Sequence, residues 1–252
     1  MSLQKICEII AAEPLTPHAY SITLEAGRIA EEARAGQFVH IRCGDGLLLR
    51  RPISICDVNG SRLRIVFEVR GEGTRWLALR GAGEALDVLG PLGHGFDLTG
   101  EKLLLVGGGI GVPPMLHTAN CSGGEVHAAL GFRSADRAML ISEFQQAAKT
   151  VAVASDDGSI GVHGYVDGLV REAAARENGF SAILACGPKP MLRSVAAVAA
   201  ELQIPCQVSM EERMGCGVGA CLVCACKTAD GHYRHACKDG PVFRAEEVCW
   251  DD

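Results

Sequence analysis

Short apolar runs punctuated by Gly, Pro and Asp dominate the amino-terminal part of the chain: Tyr20-Ser-Ile-Thr-Leu24, Gln37-Phe-Val-His-Ile-Arg42, Leu63-Arg-Ile-Val-Phe-Glu-Val69 and Glu84-Ala-Leu-Asp-Val-Leu89. The third run alternates, with Leu63, Ile65, Phe67 and Val69 on one side of a strand. Short strands at even spacing with turn residues between them predict a small antiparallel β-barrel. The Gly/Pro-rich stretch Gly90-Pro-Leu-Gly-His-Gly-Phe-Asp-Leu98 is expected to end it.

From Lys102 the pattern changes. Continuous apolar strands, Lys102-Leu-Leu-Leu-Val106, Glu125-Val-His-Ala-Ala-Leu130, Thr150-Val-Ala-Val-Ala154 and Phe180-Ser-Ala-Ile-Leu-Ala185, alternate with helical stretches. Helices are expected at Pro114 to Asn120, Ser142 to Ala148, Tyr165 to Arg176 and Pro190 to Leu202. Strands apolar on both faces and separated by helices are the pattern of a parallel sheet in an α/β unit. The chain therefore reads as a multi-domain β plus α/β protein. Its expected units are an antiparallel barrel over 1–99, an α/β unit over 100–205 and a small cysteine-rich unit over 206–252.

Composition narrows the classes. The formal net charge of −6 gives no electrostatic reason to expect nucleic acid, and no apolar run approaches membrane-spanning length. The amino end lacks a signal-peptide h-region. Of twelve cysteines, seven crowd the last stretch (Cys206, Cys216, Cys221, Cys224, Cys226, Cys237 and Cys249), unlike the even spread of a secreted disulfide scaffold. A reducing, cytoplasmic setting is expected.

The spacing inside that stretch carries chemistry. Cys216, Cys221 and Cys224, followed by Cys237, form C-x4-C-x2-C...C, the plant-type arrangement that ligates a [2Fe-2S] cluster. Gly215, Gly217 and Gly219 permit turns that bring N–H groups towards the sulfurs. Structural zinc is the competing reading, since Cys221-x2-Cys224 is zinc-like; the four-residue first gap favours the cluster. Cys226 competes for ligand status, and Cys206, Cys226 and Cys249 are otherwise expected to be small buried or partly buried hydrophobes. His232 and His235 are expected in a solvated hairpin rather than as Rieske or zinc ligands.

Val106-Gly-Gly-Gly-Ile-Gly-Val-Pro-Pro114 follows a strand and opens a helix, where glycines and a helix amino terminus suit a pyrophosphate, although a tight structural turn explains it equally well. Leu184-Ala-Cys186-Gly-Pro188-Lys-Pro-Met191 leaves a second strand of the same unit at its carboxyl end, where open α/β sheets bind ligands. In the barrel half, Arg50-Arg51-Pro52-Ile53-Ser54-Ile55 puts a cation and a hydroxyl on a stiffened extended segment. Gly71-Glu-Gly73-Thr74 offers backbone N–H groups and another hydroxyl. Residue chemistry alone leaves both open between a phosphate or flavin clamp and a solvated edge.

Taken in order, Arg51-Pro-Ile-Ser54, Gly73-Thr74, Gly107-Gly-Gly-Ile-Gly111, Cys186-Gly-Pro188 and the cysteine loop resemble the ferredoxin-NADP reductase superfamily, and within it the electron transfer subunits of class 1B dihydroorotate dehydrogenase. The resemblance implies that Arg51, Pro52, Ile53, Ser54, Val66, Phe67, Glu68, Gly73 and Thr74 hold FAD. It implies that Gly107, Gly108, Gly109, Gly111, Cys186, Gly187 and Pro188 hold NAD, the electron acceptor, and it supports Cys216, Cys221, Cys224 and Cys237 as the cluster ligands. One departure is Glu68, which stands where the family often has an arginine; Arg70, expected on the same strand face, is a candidate substitute.

The same resemblance implies an oxidoreductase subunit of pyrimidine biosynthesis with no catalytic acid, base or nucleophile of its own. Its implied partner is an FMN-containing dihydroorotate dehydrogenase catalytic subunit, in a complex of two plus two. A reductase subunit of a ferredoxin-NADP oxidoreductase or sulfhydrogenase is the alternative. Asp156-Asp157-Gly158 and His163 are expected in a loop near the nucleotide; an acidic pair beside the ribose would discourage a 2'-phosphate, and the residues themselves leave NAD and NADP both open.

Overall fold

The computed structural model describes residues 3–177 and 179–251. In the amino-terminal part run β1 (Leu3–Pro14), β2 (Ala19–Glu25), the single turn α1 (Arg28–Glu31), β3 (Phe38–Ile41), β4 (Arg51–Asn59), β5 (Arg62–Glu68), α2 (Glu72–Ala78) and β6 (Ala85–Leu92). The strands close into a barrel in the order β1-β2-β5-β4-β3-β6, every pair antiparallel. Alternation drives this: Ile22, Leu24, Val39, Ile41, Ile55, Leu63, Ile65 and Phe67 fill the interior, and Leu77 of α2 joins them.

Two strands escape the hydrophobic pattern. β1 buries only Cys7 and Ile9 fully, its apolar residues fall in adjacent pairs (Ile6-Cys7, Ile9-Ile10) instead of alternating, and it is a strand because β2 and β6 flank it. β4 begins at Arg51 and carries its apolar side chains inwards at Ile53 and Ile55. The glycine-proline stretch also behaves differently from expectation, because β6 continues through Gly90 and Pro91 to Leu92. A Cβ on Gly90 would lie 2.7 Å from Cγ1 of Val39, so the missing side chain lets β6 lie against β3.

Next come β7 (Lys102–Gly108), α3 (Val112–Cys121), β8 (Glu125–Phe132), α4 (Ile141–Ala147), β9 (Thr150–Ser155), β10 (Val162–His163), α5 (Val166–Arg176), β11 (Ala182–Cys186), α6 (Lys189–Glu201) and β12 (Cys206–Ser209). The remaining strands are β13 (Ala225–Lys227), β14 (Tyr233–His235) and β15 (Val242–Arg244). One sheet has the order β10-β9-β8-β7-β11-β12-β15, parallel except for β15. Successive residues of β7 point to opposite layers: Leu103 and Leu105 meet α3 and α4, whereas Leu104 and Val106 meet α5 and α6. This two-sided burial explains the continuous apolar runs.

Residues 206–209, which the sequence reading puts in the carboxyl-terminal unit, pair with β11 as a parallel strand of the sheet. β15 then returns beside β12, so the segment between them, with its β13–β14 hairpin, leaves and re-enters the same sheet. That segment shares a core with the outer face of the barrel, where Phe38 and Leu92 meet Met210, Cys224, Cys237 and Phe243. The link from the barrel is tied down as well: Asp97 N–H donates to Oε1 of Gln207 at 2.9 Å, and Gln207 Nε2 donates to the Asp97 carbonyl at 2.8 Å. Among the described residues, no helix is long and apolar enough to cross a membrane.

The α3 helix packs on the barrel through β4. Asn120 Nδ2 donates to Asp57 at 2.9 Å, and buried His117 places Nδ1 3.8 Å from the same carboxylate. Burial lowers the pKa of His117, but Asp57 and the Cys121 sulfur outweigh it and carry it up to about 9. A histidine raised in the folded state stabilises fully below its unfolded value near 6.5 and loses that contribution as pH rises through about 9. The shift caps the effect at about 3 kcal/mol, and the 3.8 Å separation reduces it. Thermal unfolding from pH 6 to pH 10 should show wild type losing its advantage over His117→Gln across that interval; a constant difference would refute the linkage.

Candidate cofactor-binding sites

The ladder between β4 and β5 runs from Asn59 and Arg62 to Ile55 and Ile65 and ends there. Arg51–Ser54 and Val66–Glu68 continue past it, one on either side of the opening, so the two sequence segments expected to hold flavin face the same gap. Alternation decides which side chains take part. Ile53 and Phe67 point into the barrel core, where Phe67 stacks on Tyr20 at 6.0 Å, and Val66 packs in the α3 layer. These three expected contacts therefore have only main-chain groups to offer. Arg51, Pro52 and Ser54 are half-buried and available.

Arg51 and Arg50 have separate roles. Arg50 Nη2 donates to Asp87 at 2.7 Å and Nη1 donates to the Asp87 carbonyl at 3.0 Å, which locks it to the barrel. Arg51 lies across the first turn of α2: a Cβ on Gly73 would sit 2.2 Å from its Nε and 2.6 Å from its Cζ. Gly73 is thus a glycine because a guanidinium occupies the place of its side chain. Gly71–Thr74, expected to offer backbone N–H groups and a hydroxyl, is the start of this helix, and Thr74 Oγ1 accepts the N–H groups of Arg70 at 2.8 Å and Gly71 at 3.1 Å. An arginine beside a helix start can hold a phosphate.

Glu68 ends β5, so Arg70 lies beyond the strand rather than on its face. Its guanidinium still turns back to the Glu68 carboxylate at 3.3 Å, and Arg137 of the α/β unit approaches the same carboxylate at 3.7 Å. Arg70 also reaches Glu211 at 3.8 Å. The departure from the family arginine is therefore matched by two arginines, and the cluster ties barrel, α/β unit and carboxyl-terminal segment together.

In the α/β unit the two expected nucleotide loops are neighbours, because β7 and β11 pair with Gly107 opposite Cys186. β8 lies on the other side of β7, so the order in which strands are added reverses here, at the switch point where open sheets bind ligands. Contact between the loops is close. A Cβ on Gly111 would lie 2.2 Å from the Cys186 carbonyl oxygen, and one on Gly108 2.2 Å from Sδ of Met191. Gly109 and Gly187 have φ of +52° and +159°. Pro188 precedes α6. Burial pushes the Cys186 thiol up to about 12, so it is an inert wall. The helix terminus differs from expectation: Pro113 and Pro114 occupy the first turn of α3 and Val112 N–H bonds to Gly109, which removes most of its free donors. Asp156 and Asp157 lie at the carboxyl end of β9, and His163 packs on Gly158.

The four cysteines lie as two close pairs bridged by the loop backbone. Cys216 N–H points to the Cys221 sulfur at 3.4 Å, and the Cys224 and Cys237 sulfurs are 3.3 Å apart. The first pair faces outwards; the second is buried. The backbone folds round Cys216, whose sulfur accepts the N–H groups of Val218, Ala220 and Cys221 at 3.4, 3.2 and 3.4 Å, and Gly219 N–H reaches Cys237 at 3.2 Å. Burial raises the Cys216 pKa, but those three backbone donors outweigh it and bring the thiol down to about 6, whereas burial and the nearby Cys224 push Cys237 up to about 12. Gly217 and Gly219 have φ of +74° and +79°. Gly215 is needed for space instead, since a Cβ would come 3.1 Å from the Cys221 sulfur. This nest of N–H groups round paired thiols suits an anionic metal-sulfur group.

The remaining cysteines and histidines lie elsewhere. Cys206 and Cys226 are buried in the apolar core, and Cys249 is half-buried. His232 and His235 lie on the β13–β14 hairpin. Glu125, His127 and Glu177 could hold a cation at the opposite end of the sheet, but the Lys102 ammonium already sits 2.5 Å from Glu177 and 3.4 Å from Glu125. Two residues were not singled out by the sequence reading: Met191, which fills the space over Gly108 and Gly187, and His40, whose ring abuts Gly217. A polar residue within Phe38-Val-His-Ile was the available signal for the latter.

Residues 211–249, which contain all four of these cysteines, match the iron-sulfur cluster binding domain of dihydroorotate dehydrogenase B. Over nearly its whole length the chain is 39% identical to the dihydroorotate dehydrogenase B (NAD(+)) electron transfer subunit of Bacillus pumilus, with 95% of this chain and 96% of the relative covered. The chain belongs to the dihydroorotate dehydrogenase B electron transfer subunit family. The Enterococcus faecalis member is 40% identical, covering 97% and 98%. A solved NADH-dependent reduced ferredoxin-NADP oxidoreductase superposes with a TM-score of 0.89 at 31% identity, over 98% of this chain and 91% of that one. The ferredoxin reductase of carbazole 1,9a-dioxygenase shares the fold, with a TM-score of 0.64 at 21% identity over 81% and 67%. Membership of the electron transfer subunit family assigns the cysteine loop to iron and sulfide rather than zinc.

Proposed function

We propose that this chain is the electron transfer subunit of an NAD-dependent dihydroorotate dehydrogenase in the cytoplasm, carrying electrons from an FMN-containing catalytic subunit to NAD+ within a complex of two plus two subunits. The observation that carries this reading is the arrangement of Cys216 with Cys221 and of Cys224 with Cys237 as two close pairs inside the segment matching the dihydroorotate dehydrogenase B cluster domain. Bound at their sites, a [2Fe-2S] cluster would supply single-electron transfer and FAD the exchange between single electrons and a hydride. The four cysteines would hold the cluster. Arg51 and the first turn of α2 would hold the FAD phosphates, with Pro52, Ser54 and the main chain of Val66–Glu68 along the opening. The paired glycine loops would receive NAD, with Met191 packed against Gly108 and Gly187.

The chain's own residues bind, orient and insulate, and dihydroorotate oxidation falls to the partner. The outward Cys216–Cys221 pair lies among exposed Val218, Leu222 and Val223, apolar surface that fits contact with another subunit. The ferredoxin-NADP oxidoreductase likeness supports one rival, a reductase subunit of that kind of complex. The purified chain should reduce artificial acceptors with NADH and leave dihydroorotate unoxidised, and a tagged copy should retain an FMN-containing barrel subunit. Dihydroorotate turnover by the chain alone would overturn the division of labour. Retention of a different redox subunit would favour the rival.

A further inference from the structure

His40 is fully buried on β3, yet neither ring nitrogen has a hydrogen-bond partner in the protein. Its strand position sets its direction. Val39 and Ile41 point into the barrel, so Phe38 and His40 point out, on the face shared with their cross-strand neighbours Ser54 and Pro52. There the ring meets the cysteine loop: a Cβ on Gly217 would lie 2.7 Å from Nδ1 and 2.8 Å from Cε1. Gly217 directly follows Cys216, the sulfur that already collects three backbone N–H groups. Burial, with Arg50 and Arg51 nearby, lowers the pKa of His40 to about 4, so the ring is neutral and carries one N–H.

Interiors seldom leave such a donor without an acceptor. Leucine would fill the space between Phe38 and Gly217 with nothing unpaired, so packing alone does not account for an imidazole. What the pocket adjoins is the loop whose thiols would hold a sulfur-rich anion, and N–H donors to such sulfurs help set the reduction potential.

We propose that His40 is a positioning residue for the iron-sulfur group: its ring N–H donates to a sulfur of the cluster held by Cys216, Cys221, Cys224 and Cys237 and raises its reduction potential. This rests on the cluster assignment above. A donor aimed at sulfur favours the more negative, reduced state, so its removal lowers the potential.

The test is an EPR-monitored redox titration of the cofactor-loaded chain as wild type, His40→Leu and His40→Asn. For His40→Leu the reduced-to-oxidised ratio of the cluster at a fixed potential should fall about tenfold, which is about 59 mV for a one-electron couple. His40→Asn keeps an amide N–H near the position of Nδ1 and should recover most of the shift. Thermal unfolding separates packing from tuning, because the proposal leaves the melting temperature of His40→Leu at or above that of wild type. A wild-type midpoint in His40→Leu, or a shift confined to the flavin, would overturn the proposal. A wild-type chain with no [2Fe-2S] spectrum would overturn the cluster assignment itself, and this inference with it.

Discussion

Replacing Cys216 by serine should abolish the [2Fe-2S] absorption and EPR signal and lower dihydroorotate-dependent NAD+ reduction by the assembled complex more than about 100-fold, beyond the loss typical of outer-shell changes. NADH oxidation with an artificial acceptor should persist, because the flavin and nucleotide residues lie on other elements. The size of the effect follows from the backbone: three N–H groups converge on this one sulfur, and a shorter, harder oxygen cannot take its place among them. Cys226→Ser is the matched control. Its side chain is buried in the apolar core, so serine there should cost stability of about 1–3 kcal/mol and leave the cluster spectrum intact. Loss of the spectrum in Cys226→Ser with retention in Cys216→Ser would reverse the ligand assignment.

Gly73→Ala should weaken FAD binding about 10–100-fold while leaving unfolding of the chain nearly unchanged. The new methyl carbon would fall 2.2 Å from Arg51 Nε, and what must move is the end of a flexible side chain. Turning the guanidinium away removes one charge-assisted hydrogen bond to phosphate, worth about 1.5–3 kcal/mol. Gly111 shows the contrast, since a methyl there meets the Cys186 carbonyl, which is backbone and cannot yield cheaply. Flavin content after gel filtration, with a denaturant titration beside it, reads both halves of the prediction. Full flavin retention in Gly73→Ala would show that the Arg51 position over α2 is not the phosphate anchor.

Much of this was legible in the chain because local rules and tertiary structure agree. The leucine run of β7 reads as a parallel strand because both its faces are covered, and Leu63, Ile65 and Phe67 alternate because β5 has one face in the barrel core. β1 was invisible for the opposite reason: a strand whose side chains are mostly exposed carries no apolar period, and only pairing on both sides makes it a strand. Gly71–Thr74 gave no helix signal because glycines depress helix propensity, and the helix starts there with Thr74 Oγ1 taking up the N–H groups of Arg70 and Gly71 just before it. Sequence motifs name whole segments, so they could not separate Pro52 and Ser54, which point outwards, from Ile53 and Phe67, which point into the core. Met191 meets Gly108 and His40 meets Gly217 across long stretches of chain, and no spacing rule reaches that far.

The cysteine segment leaves the seven-stranded sheet at β12 and returns to it at β15, two strands that lie side by side. A ferredoxin on a flexible tether must search for its docking pose, and its turnover then slows as the medium thickens. Here both ends of the loop are stitched into one sheet, so the separation between its redox site and the flavin face is set when the chain folds. Internal electron passage in this subunit should be indifferent to solvent viscosity, and any gating would come from docking of a partner subunit.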